Sequence, residues 1–185
     1  MLGKKMTKII QQRKRIFIAG EGEGEQSFVK WLQRLSDQNG LHVHLDCQPL
    51  GGGGYKTMLE KTVHECKRKG RSSAKSFILL VDSDRAERGD DGWSLLQLKQ
   101  EASKHKINVC VQNPNQEGLL VRMMPGNESL QPNIAKVQKQ LRSIWPDYQK
   151  PVDAQTLASK FTLGDLLRVA RVDLELKLLL SIIGL

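Results

Sequence analysis

Apolar residues recur along this chain with two different periods, and the two alternate. Arg15-Ile16-Phe17-Ile18-Ala19 is a short β-prone apolar run. It is followed by a Gly/Glu stretch and then by Phe28, Trp31, Leu32 and Leu35 at the i, i+3, i+4, i+7 spacing of an amphipathic helix. Leu41 to Leu45 alternates like a half-buried strand, Gly51 to Gly54 breaks the chain, and Met58, Leu59, Thr62, Val63 and Cys66 mark a second helical face. The unit then repeats: Phe77 to Val81 reads as a third strand, and Trp93 to Lys104 as a third helix with Trp93, Leu95, Leu96, Leu98 and Ala102 turned inward. Ile107 to Val111 reads as a fourth strand. Strands separated by helices predict a mostly parallel, Rossmann-like α/β sheet of four strands with helices on its faces. The unbroken apolar character of the first and third strands places them in the middle of that sheet, buried on both sides.

After Met124 the pattern changes. Pro125-Gly126-Asn127 and Pro132-Asn133 punctuate a polar linker, and Trp145-Pro146 and Pro151 bracket what reads as a helix and a turn. Thr162 stands as the cap of a further helix, and Leu166, Leu167, Ala170, Leu174, Leu178, Leu179 and Ile182 supply a packing stripe. The expected organisation is a basic segment over residues 1–14, an α/β domain over 15–125 and a small helical region over 126–185 packed on the sheet. A chain of 185 residues is long enough for one sizeable core with such an appendage.

Charge narrows the class of partner. With 29 Lys plus Arg against 20 Asp plus Glu the formal net charge is +9, a balance that attracts polyanions and favours nucleic acid, DNA or RNA. Lys4, Lys5, Lys8, Arg13, Lys14 and Arg15 form one acid-free block, and Lys67, Arg68, Lys69, Arg71 and Lys75 form a second; either suits phosphate contact or a solvated helix end. The first fifteen residues do not resemble a signal peptide, and no segment approaches the roughly 18 apolar residues of a membrane span. Cys47, Cys66 and Cys110 are odd in number and lack CxxC spacing, which suits reduced thiols in a cytoplasmic protein.

The chemistry is concentrated at strand ends. Val81-Asp82-Ser83-Asp84 puts two carboxylates at the exit of the third strand, where extended chain would send both the same way. The bland alternative is a strand finishing in solvated turn-forming residues. The first strand runs into Gly20-Glu21-Gly22-Glu23-Gly24-Glu25, and Glu21 follows it directly, so adjacency of strands one and three would bring Glu21, Asp82 and Asp84 together. Such an all-oxygen set suits Mg²⁺ or Mn²⁺. Glu23 and Glu25 also favour the positive end of the following helix dipole. Gly51-Gly52-Gly53-Gly54-Tyr55-Lys56 opens a helix and fits either a phosphate cradle or a flexible connector; Lys56 with Lys67, Arg68 and Arg71 favours a nucleic-acid backbone contact. Arg85 and Arg88 beside the acidic pair suit a phosphate clamp or charge balance. His42 and His44 have metal-ligand spacing but no third soft ligand, and read as edge-strand surface.

An apolar strand ending in Glu-Gly, here Glu21-Gly22, followed by a strand ending in Asp-x-Asp, here Asp82-Ser83-Asp84, resembles the Toprim domains shared by topoisomerases, primases and OLD-type nucleases. Asn113-Pro114-Asn115-Gln116-Glu117-Gly118 resembles the Asn-Pro-x-x-Glu element of RloB-like Toprim proteins associated with phage defence. The similarity covers roughly residues 15 to 125. It implies a metal-dependent nuclease with Asp82 and Asp84 as metal ligands, Glu21 as acid/base or second-metal residue, and Glu117 as an additional carboxylate; a first-turn helix carboxylate is the plainer reading of Glu117. The chain is too short to contain the ATPase of OLD-type nucleases, so the resemblance implies an ATPase or other defence-system protein as partner. Two other classes stay open: a catalytically silent binding or regulatory module of a defence complex, and a receiver-like phosphoacceptor, for which no Lys stands at the end of a late strand.

Overall fold

The computed structural model describes residues 12–68, 70–84 and 92–185. Four strands, β1 (Lys14–Gly20), β2 (Val43–Pro49), β3 (Ser76–Asp82) and β4 (Ile107–Gln112), form one parallel sheet in the order β2-β1-β3-β4. The strands with unbroken apolar runs hold the middle: Ile16 to Ala19 and Ile78 to Val81 are buried throughout. On the edge strand β2 the alternation of Leu41, Val43 and Leu45 is only the beginning. The strand continues to Pro49 because Asp46, Cys47 and Gln48 pair with Phe17, Ile18 and Ala19, and half-buried polar residues suit an edge.

Period two divides the core. Ile16, Ile18, Ile78, Leu80 and Cys110 face a layer containing α1 (Glu23–Gln38), whereas Phe17, Ala19, Leu79, Val81, Val109 and Val111 face α2 (Tyr55–Cys66) and α3 (Leu95–Lys104). In α3, Leu98 and Ala102 are buried but Leu96 is 65% exposed, against the inward reading. The helix starts at Leu95, after the Ser94 cap, and at 100° per residue Leu96 lies about 200° round from Leu98. Trp93, before the cap, is half-buried.

The remaining helices among the described residues are α4 (Gln116–Met123), α5 (Val137–Ile144), α6 (Ala154–Lys160), α7 (Leu163–Ala170) and α8 (Leu174–Ile183). Thr162 caps α7 as its position suggests: its Oγ1 accepts from Asp165 N at 3.3 Å, and Asp165 Oδ2 accepts from Thr162 N at 2.8 Å. Between Trp145 and Pro151 there is turn and no helix, since α5 ends at Ile144 and a residue before proline is steered out of the α region. Trp145, Tyr148, Leu157, Phe161, Leu166 and Leu179 belong to the same apolar cluster as Ile16, Leu80 and Cys110, with Phe161 packed on both Trp31 and Trp145 at 6.3 and 5.8 Å between ring centres. The C-terminal helices therefore close one face of the sheet. No helix among the described residues is long and apolar enough to cross a membrane.

The chain leaves β1 towards β2 on one side, and enters β3 and then β4 on the other. The loops after β1 and β3 diverge, opening a crevice at their carboxyl ends, the place where open parallel sheets hold ligands.

Candidate active site

The loop after β1 is shaped by what its glycines approach. A Cβ on Gly20 would stand 2.6 Å from Glu25 Cβ, and one on Gly24 would stand 2.3 Å from Gln116 Oε1. Glu25, in the first turn of α1, reaches back so that its Oε2 accepts from Gly22 N at 2.8 Å, which tightens the loop and buries the carboxylate. Gln116 Nε2 donates to Gly24 O at 3.0 Å, joining the first turns of α1 and α4. From the other side Gly51 N and Gly52 N both donate to Glu21 O at 3.1 Å. Gly51, Gly52 and Gly53 take φ of 73°, 74° and 119°, a left-handed run that glycine alone adopts cheaply, so the tetraglycine stretch is a fitted clasp on the β1 exit before α2 begins.

The β3 exit is strapped to the β4 exit. Ser83 N donates to Gln112 O at 2.9 Å, Asp84 N to Pro114 O at 3.1 Å and Ser83 Oγ to Asn113 Oδ1 at 3.2 Å, while Tyr55 Oη donates to Asp82 O at 2.9 Å. Asn115 then caps α4, its side chain accepting from Gly118 N at 3.1 Å. A Cβ on Gly118 would meet Pro114 Cδ at 2.5 Å, so the helix starts hard against the Asn-Pro turn and Glu117 in its first turn is buried.

Glu21, Glu23, Glu25, Asp82, Gln116, Glu117 and Lys150, with Gly22, Gly24 and Pro151, line a cleft of about 280 Å³. Asp82 Oδ1 is buried there and has no hydrogen-bond partner among the described residues. Burial, then the charges of Glu25, Asp84 and Glu117, push Asp82 up to about 8, and Lys150 opposes them. Glu117 Oε1 accepts from Tyr148 Oη at 3.2 Å and pairs with Lys150 Nζ at 2.6 Å. Burial and the Glu117 carboxylate hold the Tyr148 phenol well above its ordinary range, so it keeps its proton. The chain turns at Ser83, so strand alternation does not carry through to Asp84; that carboxylate is buried, close enough to act on Asp82 but outside the cleft wall.

The donors are all hard oxygens. Among the described residues, no group of three or more His, Cys, Asp or Glu side chains is gathered closely enough to hold a metal ion. The set fits instead an ion that takes one or two carboxylates and keeps several waters, the habit of Mg²⁺. Asp82 is the carboxylate that could reach such an ion first, with Glu25 and Glu117 beside it.

Of the residues singled out from sequence, Glu21, Asp82 and Glu117 meet at the cleft, with Asp84 behind. Glu25 is the loop carboxylate acting most strongly on Asp82; its position three after the helix cap was its only local signal. Tyr148 and Lys150 carried none. The predicted cationic surface disperses. Lys56 is exposed in the first turn of α2, whereas Lys67 and Arg68 lie beyond the far end of that 12-residue helix, about 18 Å away. Arg68 pairs with Glu65 at 3.0 Å. Arg71 is held in the structure: it pairs with Glu65 and, at 3.3 Å, with Asp46, donates to Gln48 at 2.9 Å and lies over the Phe17 ring at 4.8 Å, an engagement that leaves little of it for phosphate. Arg85, Arg88, Lys69, Lys4, Lys5 and Lys8 lie outside the described residues. His44 is exposed on edge strand β2. Cys47 and Cys66 are partly buried and Cys110 fully, with burial raising the thiols to about 12, 11 and 12, so all three stay protonated at neutral pH.

The Gly20 contact makes a prediction. Gly20→Ala should drive the Glu25 side chain out of the cleft at a cost of about 1–3 kcal/mol, the range for overpacking. Urea unfolding checks it: the midpoint should fall by the amount that this cost implies.

Comparison of the chain with protein-family models, with curated proteins and with solved structures finds no match.

Proposed function

We propose that this protein is a divalent-metal-dependent phosphodiesterase of the Toprim type that hydrolyses nucleic acid, DNA or RNA, with Mg²⁺ or Mn²⁺ as cofactor. The observation that carries the reading is the cleft at the β1/β3 switch point, where the orphaned Asp82 Oδ1 sits among Glu25, Asp84 and Glu117 with Lys150 as the neighbouring cation. An acidic pocket in a chain of net charge +9 suits a metal-mediated encounter with a polyanion, since bare carboxylates repel phosphate and a bound cation reverses that sign. The resemblance of Glu21-Gly22, Asp82-Ser83-Asp84 and the Asn113 to Glu117 element to Toprim motifs points the same way.

Bound in the cleft, the ion supplies Lewis acidity towards a phosphoryl oxygen and an ionised water near neutral pH. The chain's own residues do the rest. Asp82 and Glu117 would hold the ion, with Tyr148 steadying Glu117 and Glu25 adding its charge beside Asp82, and Glu21 at the cleft wall would take or give the proton of the attacking or leaving oxygen. Lys56 on the first turn of α2 steers the strand. The setting inferred from the resemblance is anti-phage defence, with an ATPase or other partner protein.

The test is incubation of the purified protein with single- and double-stranded DNA and RNA in Mg²⁺ or Mn²⁺, with chelator controls, alongside Glu21→Ala and Glu25→Ala. Metal-dependent cleavage lost in both variants is the expected result; cleavage indifferent to chelator would overturn it. A second reading, a catalytically silent module docking a partner, is favoured by the exposed Leu167, Leu174 and Leu178 on α7 and α8, at 41%, 76% and 40%. It predicts metal binding without cleavage, and a partner complex lost in Leu174→Glu.

A further inference from the structure

The cleft carries a cation of its own, supplied by the C-terminal region. Lys150 lies in the turn between α5 and α6, 33 residues beyond Glu117, and its Nζ stands 2.6 Å from Glu117 Oε1. The backbone carrying it is pinned on both sides, since Trp145, Tyr148 and Val152 are buried in the core. The side chain is not: it is 59% exposed, whereas that of Glu117 is 4% exposed. A long stem with its charged head at the surface can swing into water at little cost, but a buried carboxylate in a helix first turn cannot follow. Tyr148 Oη, also on Glu117 Oε1, would keep that carboxylate in place after the lysine left.

We propose that the Lys150 ammonium is an exchangeable internal cation, which neutralises the cleft through Glu117 in the metal-free protein and is displaced when a divalent ion enters. The inference rests on the metal-dependent reading above and adds to it a competitor supplied by the C-terminal region. One ammonium cannot serve the whole set: it leaves Asp82 Oδ1 without a partner among the described residues, whereas a divalent ion carrying its own water can satisfy Asp82 and Glu117 together. Uptake of metal therefore requires breaking the Lys150–Glu117 pair, and Lys150 sets the metal concentration at which the site fills.

The experiment is calorimetric titration of the full chain with Mn²⁺ for wild type, Lys150→Met and Lys150→Arg, with melting temperatures in chelator and in saturating Mn²⁺. Lys150→Met should bind Mn²⁺ roughly threefold to fivefold tighter, the equivalent of losing one partly exposed ion pair. Lys150→Arg should stay near wild type. In chelator Lys150→Met should melt below wild type, and saturating Mn²⁺ should erase that difference. Equal or weaker Mn²⁺ binding by Lys150→Met overturns the exchange while leaving the metal site standing. Absence of Mn²⁺ binding in both wild type and Lys150→Met overturns the metal reading and the exchange with it.

Discussion

Asp82→Asn is expected to abolish metal-dependent cleavage and, in the same protein, to raise the stability of the metal-free fold at alkaline pH. The two effects share one cause. In the folded chain burial, then the charges of Glu25, Asp84 and Glu117, push Asp82 up to about 8, whereas in the unfolded chain a carboxyl of this kind titrates near 4. Between those values the native state holds a proton that the unfolded state has lost, so stability falls as pH rises from about 4 to about 8 and levels off beyond. Asparagine cannot ionise and escapes that loss. A gain of about 2–4 kcal/mol at pH 8 is expected, less than the whole shift implies because the neighbouring carboxylates relax; at pH 4 the two proteins should be nearly equal. Cleavage should fall on the order of a thousandfold, since the orphaned oxygen is the proposed first donor to the metal. Thermal melts in chelator at pH 4 and pH 8, with a cleavage assay in Mg²⁺, check both halves. A variant that cleaves normally, or that is less stable than wild type at pH 8, would count against the assignment of Asp82. A buried carboxylate that destabilises its own scaffold is a familiar trade of stability against function.

The second large effect lies at the join between α4 and α8. Arg122, near the end of α4, pairs with Asp173 at 2.5 Å with side chains only 5% and 10% exposed, and its Nε donates to Glu128 O at 3.0 Å. Asp173 also caps α8, accepting from Leu176 N at 2.9 Å. Arg122→Met leaves the Asp173 charge buried without its partner, and a loss of about 3–5 kcal/mol is expected, measured as a drop in the urea midpoint. Adding Asp173→Asn, which keeps the cap, should recover part of that loss, because the cost is largely the stranded charge. Since α4 presents Glu117 in its first turn, the single variant should also weaken Mn²⁺ binding. A midpoint unmoved by Arg122→Met would mean that the pair adds nothing to the join between α4 and α8.

How much of this could be read beforehand depends on the range over which each property is set. Strand and helix periods are local, and Ile16 to Ala19 and Phe77 to Val81 announced two central parallel strands because burial on both faces leaves no room for polar residues. That adjacency carried Glu21 and Asp82 to one crevice. The choice between loop glutamates was not local. Glu25 enters the cleft because Gly20 leaves room for its side chain and Gly22 N holds its carboxylate, two contacts that exist only once the loop has closed. The basic run from Lys67 to Lys75 looked like one surface, yet Arg71 is drawn inward by Asp46, Gln48 and the Phe17 ring, partners far off in the chain.

The amino-acid sequence by itself determined the α/β order, the two central strands and the acidic residues at their exits, since each follows from the period or composition of a short segment. Only the tertiary structure decided which strand residues the C-terminal helices cover, that Tyr148 and Lys150 reach Glu117 from more than thirty residues away, and that Asp82 keeps an oxygen that no group among the described residues satisfies. The physical reason is that periodicity records whether a side chain is buried, whereas the partner it meets, and the proton affinity that results, depend on charge and packing delivered by segments that meet only on folding.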